Sequence, residues 1–557
     1  MSSLVRMLLL TAAAAFLTAF LTTGMASAQA RRGAPPASRA AGPWFGTALP
    51  AAVSDPTKPV MKYDDAFAPV AAKFPHAPGQ HDELLDGAAL KAAMKTIVGF
   101  SLESYAAGDK VWGRRSTTPA FFHAIEWAVE QFKSAGIADA KVERFPVSAP
   151  MWTPRSWRVQ LNGDDAFGAG SGNVILTSAF PQPGGTSIAG GSITAPVVFA
   201  GRGTDADLAG RDVKGKIAVI HVRPEPSLFG SAEQGAAGRV VAHGAIGVIQ
   251  AVEGPGNVLY FDGRFAAGAT PAFMAGGQDG WFLETVIGKA ANGGVLDKLT
   301  ATITLDTAEQ TGLTSANGIA VIVGETGESG KRIIVNAHAD GYFQGGDDNA
   351  SGFAALIGLA RYFARQPKPK HTLMFVASAG HHGPGNGPGS LAAAHPELKD
   401  NTLLVLNLEH LAYSDVVRGK TRSPDNFGMV WETSVTEGAK AVGVTNEAPF
   451  LIDLWKQAPR CFGVATYQSI SAVTPGDLGG YRPLNPPMTQ MIQSGTFYHS
   501  SGDVYEAVPA AGLERAARFF ASFIQQVDRA PEGLIRGETS NAAARTSACG
   551  SDAVDRR

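Results

Sequence analysis

Between residues 332 and 408 the chain alternates short, continuously apolar runs with one stretch of helical periodicity. Residues 332–335 (RIIV), 372–377 (TLMFVA) and 402–408 (TLLVLNL) are too short for helices and lack polar alternation, so each is predicted to be a strand buried on both faces. Residues 352–364, between the first two, place apolar side chains at helical spacing. That order predicts an α/β sheet. Asp86 is an N-cap candidate for the helix beginning GAALKAAMKTIV. A second helix is better marked: Thr118 caps it, Pro119 opens the first turn, Phe121, Ile125, Ala128, Val129 and Phe132 share one face, and Gly136 ends it. KVERFPV, from Lys141, is strand-like. Over 509–527, Leu513, Ala516, Ala517, Phe520, Phe523 and Ile524 form the apolar face of a last helix, and that face is core.

From about residue 168 to 305 the pattern changes to short strands between glycine turns, among them APVVFAG, GKIAVIHV and GAIGVIQAV. Residues 29–80, rich in Ala, Pro and Arg, predict an extended arm with little core of its own. Residues after Pro531 are small, polar and charged, and are expected to be disordered. No internal repeat is present.

Each of the three central strands is followed by groups that can bind a metal or move a proton. His338 and Asp340 follow the first, His381 and His382 the second, Glu409 and His410 the third. Open α/β sheets build their sites at that edge. Asp348 lies in GDDNASG, where Asn349 and Ser351 can cap the next helix and Gly352 lets the chain pass close to a site. His221 and His243 have no acidic residues at ligand spacing and are expected to be structural.

These motifs resemble the zinc-dependent exopeptidases of metallopeptidase family twenty-eight, over roughly residues 86–530 with low similarity between the motifs. The resemblance implies an α/β, mixed-sheet, three-layer phosphorylase/hydrolase-like domain and two divalent ions, zinc in the family. His338 and Glu409 match the ligands of one ion, His382 and His499 (in FYHSSGD) those of the other, and Asp348 the bridge. Asp340 matches the carboxylate that fixes the first imidazole. Asp477, in TPGDLGG, matches an Asp that faces substrate or stands behind a ligand. Glu409 replaces the family's usual Asp. A larger departure is that His381 and His382 stand where the family carries Glu-Glu. Imidazole binds zinc at about 2.0–2.1 Å, so His382 can replace a ligand. His381 takes the place of the general base, and a neutral imidazole accepts protons.

Residues 213–220 and 242–249 resemble a protease-associated domain, which several peptidases of this family carry as an insert. The implied divisions are a signal peptide (1–28), the arm (29–85), a first catalytic part (86–167), the insert (168–311), a second catalytic part (312–530) and a tail (531–557). The implied activity is hydrolysis of terminal peptide bonds, with peptide as the partner. Because the base is His381, a peptidase-like binding protein that keeps fold and metal without turnover is the alternative. A single-zinc cyclase of the same fold fits less well, since both ligand sets are represented.

Composition adds limits. The 557 residues exceed one ordinary domain, and 45% apolar with 17% charged residues allows a large core. A net charge of −2 gives no electrostatic case for nucleic acid or an anionic membrane. Arg6, the apolar stretch from Met7 to about Leu21, and Ala26-Ser27-Ala28 predict a signal peptide cleaved before Gln29, too short to span a membrane easily. A secreted or periplasmic product with no membrane span after processing is expected. With only Cys461 and Cys549 there is no disulfide framework, and the polar surroundings of Cys549 favour two free thiols.

Overall fold

The computed structural model describes residues 42–63, 83–223, 235–327, 330–420, 429–468, 476–492 and 495–539; the expected signal peptide and Cys549 lie outside them. One eight-stranded sheet is built from β1 (Asp139–Val147), β2 (Leu313–Ile322), β3 (Arg332–His338), β4 (Thr372–Ser378), β5 (Thr402–Leu408), β6 (Lys440–Val444), β7 (Thr466–Gln468) and β8 (Met488–Ile492). Its order is β7-β6-β8-β5-β3-β4-β2-β1. The central β8, β5, β3 and β4 are parallel, while β2 pairs antiparallel with β4 and β1, so the sheet is mixed. β3 and β4 run in register from Arg332 opposite Thr372 to His338 opposite Ser378. Their carboxyl ends therefore open at one edge.

The central strands are mostly apolar because helices or turns cover both faces. Ile333 and Val335 join the core formed with α1 (Gly87–Ala106), α2 (Pro119–Ser134), α3 (Gly352–Phe363) and α4 (Ala510–Arg529). Ile334 points the other way, towards Leu391, Leu478 and Tyr481. Phe121, Phe132, Phe353 and Phe520 are fully buried, each stabilising by about 1.5–3 kcal/mol on area grounds. Thr118 caps α2 as expected, its Oγ1 accepting from Phe121 N at 3.4 Å. Asp86 precedes α1 but does not cap it with its side chain. The buried Arg518 guanidinium draws that carboxylate to 2.6 Å, and Glu514 Oε2 accepts from Gly87 N instead.

A second eight-stranded sheet is built from residues 151–310. Met151–Asn162 pairs along its length with Thr300–Gln310, so this strand of the 86–167 stretch belongs to the second sheet. Ile193–Phe199, Ile217–Val222, Gly247–Val252 and Ala272–Ala275 follow in parallel. Trp44, from the arm, is 1% exposed, stacked on Phe167 with centroids 5.6 Å apart and set edge-on to Phe282. The arm is thus anchored in this second core.

Three expectations need correction. His221 lies between acidic partners, its Nδ1 2.9 Å from Glu284 Oε1 and its Nε2 3.1 Å from Glu253 Oε2, which reach it from distant parts of the chain. Residues 532–536 form a short helix with Leu534 and Ile535 buried, because Asn446 Nδ2 donates to Ile535 O at 2.8 Å and those two apolar side chains find cover. Cys461 is disulfide-bonded, not a free thiol. A polar sequence context does not keep a cysteine from pairing. No helix among the described residues is long and apolar enough to cross a membrane.

Candidate metal centre

The edge at which β3, β4 and β5 end gathers five imidazoles and a group of carboxylates. At its middle is Asp348, 3% exposed, in the turn before α3. Two backbone donors fix that turn: Asp347 N and Asp348 N give hydrogen bonds to the two Asp503 carboxylate oxygens at 2.8 and 3.0 Å. Burial pushes the Asp503 carboxyl up to about 6. Asn349 Oδ1 accepts from Gly352 N at 3.0 Å, and Asn349 Nδ2 donates to Leu408 O at 2.9 Å, tying the start of α3 to the end of β5. A Cβ on Gly352 would lie 2.2 Å from Leu408 O, so only glycine allows this approach.

Four imidazoles face Asp348. Oδ1 lies 3.2 Å from His338 Nε2, 2.8 Å from His382 Nε2 and 3.3 Å from His410 Nε2, and Oδ2 lies 3.1 Å from His499 Nε2. Glu409 Oε1 lies 3.7 Å from both His338 Nε2 and His381 Nε2. His338, Asp348, His381 and His382 each offer one ligand-type atom within 4.8 Å of the others. The structure therefore brings together His338, Asp348, His381, His382, Glu409 and His499, as the sequence motifs suggested, and adds His410.

Asp340 orders this edge. Its Oδ2 accepts from Ser116 Oγ at 3.0 Å, Gly380 N at 3.1 Å and His382 N at 2.6 Å, joining the end of β3 to the loop after β4. Its Oδ1 is 3.4 Å from His338 Nδ1, and that nitrogen also lies 3.1 Å from Asp340 O. Since a carbonyl only accepts, Nδ1 carries a proton, and Nε2 is the ring nitrogen aimed at Asp348. Asp477 is not at the centre but behind it: Oδ1 is 3.2 Å from His381 Nδ1, and Oδ2 accepts from Ser378 Oγ at 2.9 Å and Asn336 Nδ2 at 3.0 Å. Gly476 passes so close to Glu409 that a Cβ there would lie 2.6 Å from Oε2.

The electrostatics are polarised. Burial holds the His382 imidazole down at about 3, a neutral ring suited to donating a lone pair. Burial pushes the Asp348 carboxyl up, but the surrounding imidazoles outweigh it and hold that carboxyl well below the usual range. Burial likewise opposes ionisation of Asp340, yet the His338 contact brings it down to about 2.

The donor set fits a bound cation. His338 Nε2, Asp348 Oδ2, Glu409 Oε1 and His499 Nε2 are buried around the cluster and have no hydrogen-bond partner. Buried polar atoms are ordinarily satisfied, and ligand-type atoms left over together suit a cation.

Sequence reasoning assigned no role to His410 and missed Asp262 altogether. His410 follows Glu409 at the end of the third strand and was given no ligand role by the motifs; it has a positive φ of 52°, and its Nε2 lies 3.3 Å from Asp348 Oδ1. Asp262 Oδ2, from the second sheet's stretch of chain, lies 3.0 Å from His499 Nδ1, and nothing local in the sequence signals that pairing. Asp503 did leave a signal, as the Asp of FYHSSGD.

Residues 317–524 match the family model for Peptidase family M28. The fold resembles an aminopeptidase from Aneurinibacillus sp. strain AM-1, at 21% identity over 79% of this chain and 94% of that one, with a TM-score of 0.52. It also resembles a peptidase M28 precursor from Shewanella amazonensis, at 18% identity over 80% and 98% of the two chains, with a TM-score of 0.57. A protein of Pyrenophora teres f. teres named "Probable zinc metalloprotease" is 28% identical over 201 residues, 34% of this chain and 41% of that one. The matches span about two fifths or less of the curated relatives' length. With its mixed sheet and the strand-edge cluster inside the matched segment, the chain is similar to peptidase family M28 over residues 317–524.

Proposed function

We propose that the protein is a secreted, zinc-dependent exopeptidase of aminopeptidase type. The observation that carries this reading is the convergence of buried, hydrogen-bond-free ligand atoms from His338, Asp348, Glu409 and His499. In this reading His338 and Glu409 would hold one divalent ion and His382 and His499 a second, with Asp348 shared between them. When bound, such ions polarise a carbonyl and make water a nucleophile near neutral pH. Three imidazoles and two carboxylates leave the pair of ions more positive than a three-carboxylate set would, which favours ionisation of water.

The remaining work falls to the chain's own groups. His381 replaces the family's carboxylate base. Its Nδ1 is held by Asp477, so its Nε2 points into the site, and at 15% side-chain exposure it is the most open of the five imidazoles. Burial and His338 pull its basicity down, but Asp477 and Glu409 raise it above the ordinary value. A proton taken at Nε2 is then available for the departing amine. Tyr342, with its ring centroid 4.5 Å from His382 and 5.4 Å from His499, helps to exclude water from one side. The proposed insert is of protease-associated type, covering the cleft.

The test is metal analysis combined with a panel of aminoacyl and dipeptide substrates. Two zinc ions per chain, with hydrolysis lost on chelation and restored by zinc, is the expected result. Two bound ions with no hydrolysis across the panel would leave only a peptidase-like binding protein.

A further inference from the structure

His499 is gripped from both sides, and one grip comes from the second sheet's part of the chain. Its Nε2 faces Asp348 Oδ2, while its Nδ1 lies 3.0 Å from Asp262 Oδ2. Asp262 is 5% exposed and is itself fixed. Its N donates to Gln182 Oε1 at 2.8 Å, and its carboxylate oxygens accept from Arg264 Nε at 2.9 and 3.0 Å. The Arg264 guanidinium lies 4.9 Å over the Tyr498 ring, and that ring stacks on His499 with centroids 3.7 Å apart. The two backbones are joined as well. Phe261 N donates to His499 O at 3.0 Å, Ser501 N to Leu259 O at 2.8 Å, and Tyr260 bridges Ser500.

An ionised carboxylate only accepts, so Asp262 keeps a proton on His499 Nδ1 and leaves Nε2 as the nitrogen that would hold an ion beside Asp348. We infer that Asp262 is a positioning residue of the metal centre, through which the second sheet unit fixes the tautomer and orientation of His499. This rests on the two-ion reading above. Partners behind a metal-binding histidine change metal affinity when removed, typically by about 10–100-fold. The second sheet unit would then be part of the centre rather than only its cover.

Full-length wild type, Asp262→Ala and Asp262→Asn, each loaded with zinc, are titrated with a competing chelator. Expected is release of one ion about 10–100-fold more readily from both variants, with the other ion unchanged. In a His499→Ala background, adding Asp262→Ala should change zinc affinity no further, because its effect passes through that imidazole. Melting of the zinc-free forms reports on folding, and Asp262→Asn preserves side-chain shape if alanine is not tolerated. Unchanged affinities in Asp262→Asn overturn the inference and leave the proposed function standing, whereas a wild type that holds no zinc overturns both. Equal weakening of both ions, or unfolding of both variants, marks a general structural role and also overturns it.

Discussion

Adjacent histidines at the end of β4 share one site but are held by different partners. His382 is anchored through its N–H to Asp340 and aims Nε2 at Asp348, whereas the His381 ring lies on His338, with centroids 4.2 Å apart, and backs onto Asp477. Adjacent residues on a regular strand point to opposite faces, but Gly380 (φ 89°) and Gly383 (φ 152°) bend the loop so that both rings reach the same centre. This division gives a residue-level prediction. His382→Ala should lower the zinc content measured by metal analysis, because a buried neutral ligand is lost. His381→Ala should keep both ions while kcat falls by about 10²–10⁴, the usual contribution of general acid–base help. Equal kcat in wild type and His381→Ala would remove the imidazole from the chemistry. Glu placed at 381 tests the same point from the other side, since it restores the family's base.

The elements most legible in the sequence were those with one dominant signal. Residues 332–335, 372–377 and 402–408 were readable because parallel central strands must be apolar on both faces, and they fall within β3, β4 and β5. The Thr118 to Gly136 helix was readable from its cap, its first-turn proline and its stop, and is α2. Less legible were features set by long-range partners. Asp86 looked like a cap and became a partner of Arg518, and the helix at 532–536 is too short to show periodicity. One such long-range tie can be tested. Near the end of α4, Asp528 Oδ1 and Oδ2 accept from His371 N at 2.7 Å and Lys370 N at 2.9 Å, holding the helix to the start of β4. Burial pushes this carboxyl up, but the His371 and Lys370 hydrogen bonds outweigh it and leave it below its ordinary 3.8. A depressed carboxylate stabilises fully above its unfolded value and loses that contribution as pH falls through its folded one. Asp528→Asn should therefore destabilise by about 1–3 kcal/mol at pH 7, and by less near pH 3 and below. Urea denaturation at the two pH values checks it, and a pH-independent loss would show that shape, not charge, holds the joint.

On the scale of the whole molecule, the centre joins segments far apart in the chain: His338, Asp348, His382 and Glu409 from the sheet edge, His499 from the loop after β8, and Asp262 from the second sheet's stretch. Their order along the chain was legible through motifs, but their closure was not, because no local pattern encodes a contact between residues 262 and 499. A cation bound there links both sheets, so removing it should loosen more than the site. Binding to the folded form alone stabilises by about 2.7 kcal/mol when free metal is 100 times its dissociation constant. Chelation should accordingly lower the melting temperature and make the 258–262 and 499–503 junction easier to cleave with protease. Zinc should reverse both changes. Magnesium should not, since three imidazoles among the five proposed donors suit zinc far better than a hard, oxygen-seeking ion. Asp348→Ala, which removes the bridging carboxylate, should melt at the same temperature with and without chelator. A wild type whose melting ignores chelator and zinc alike would show that the cluster is held by its own ion pairs, and that no metal spans the two sheets.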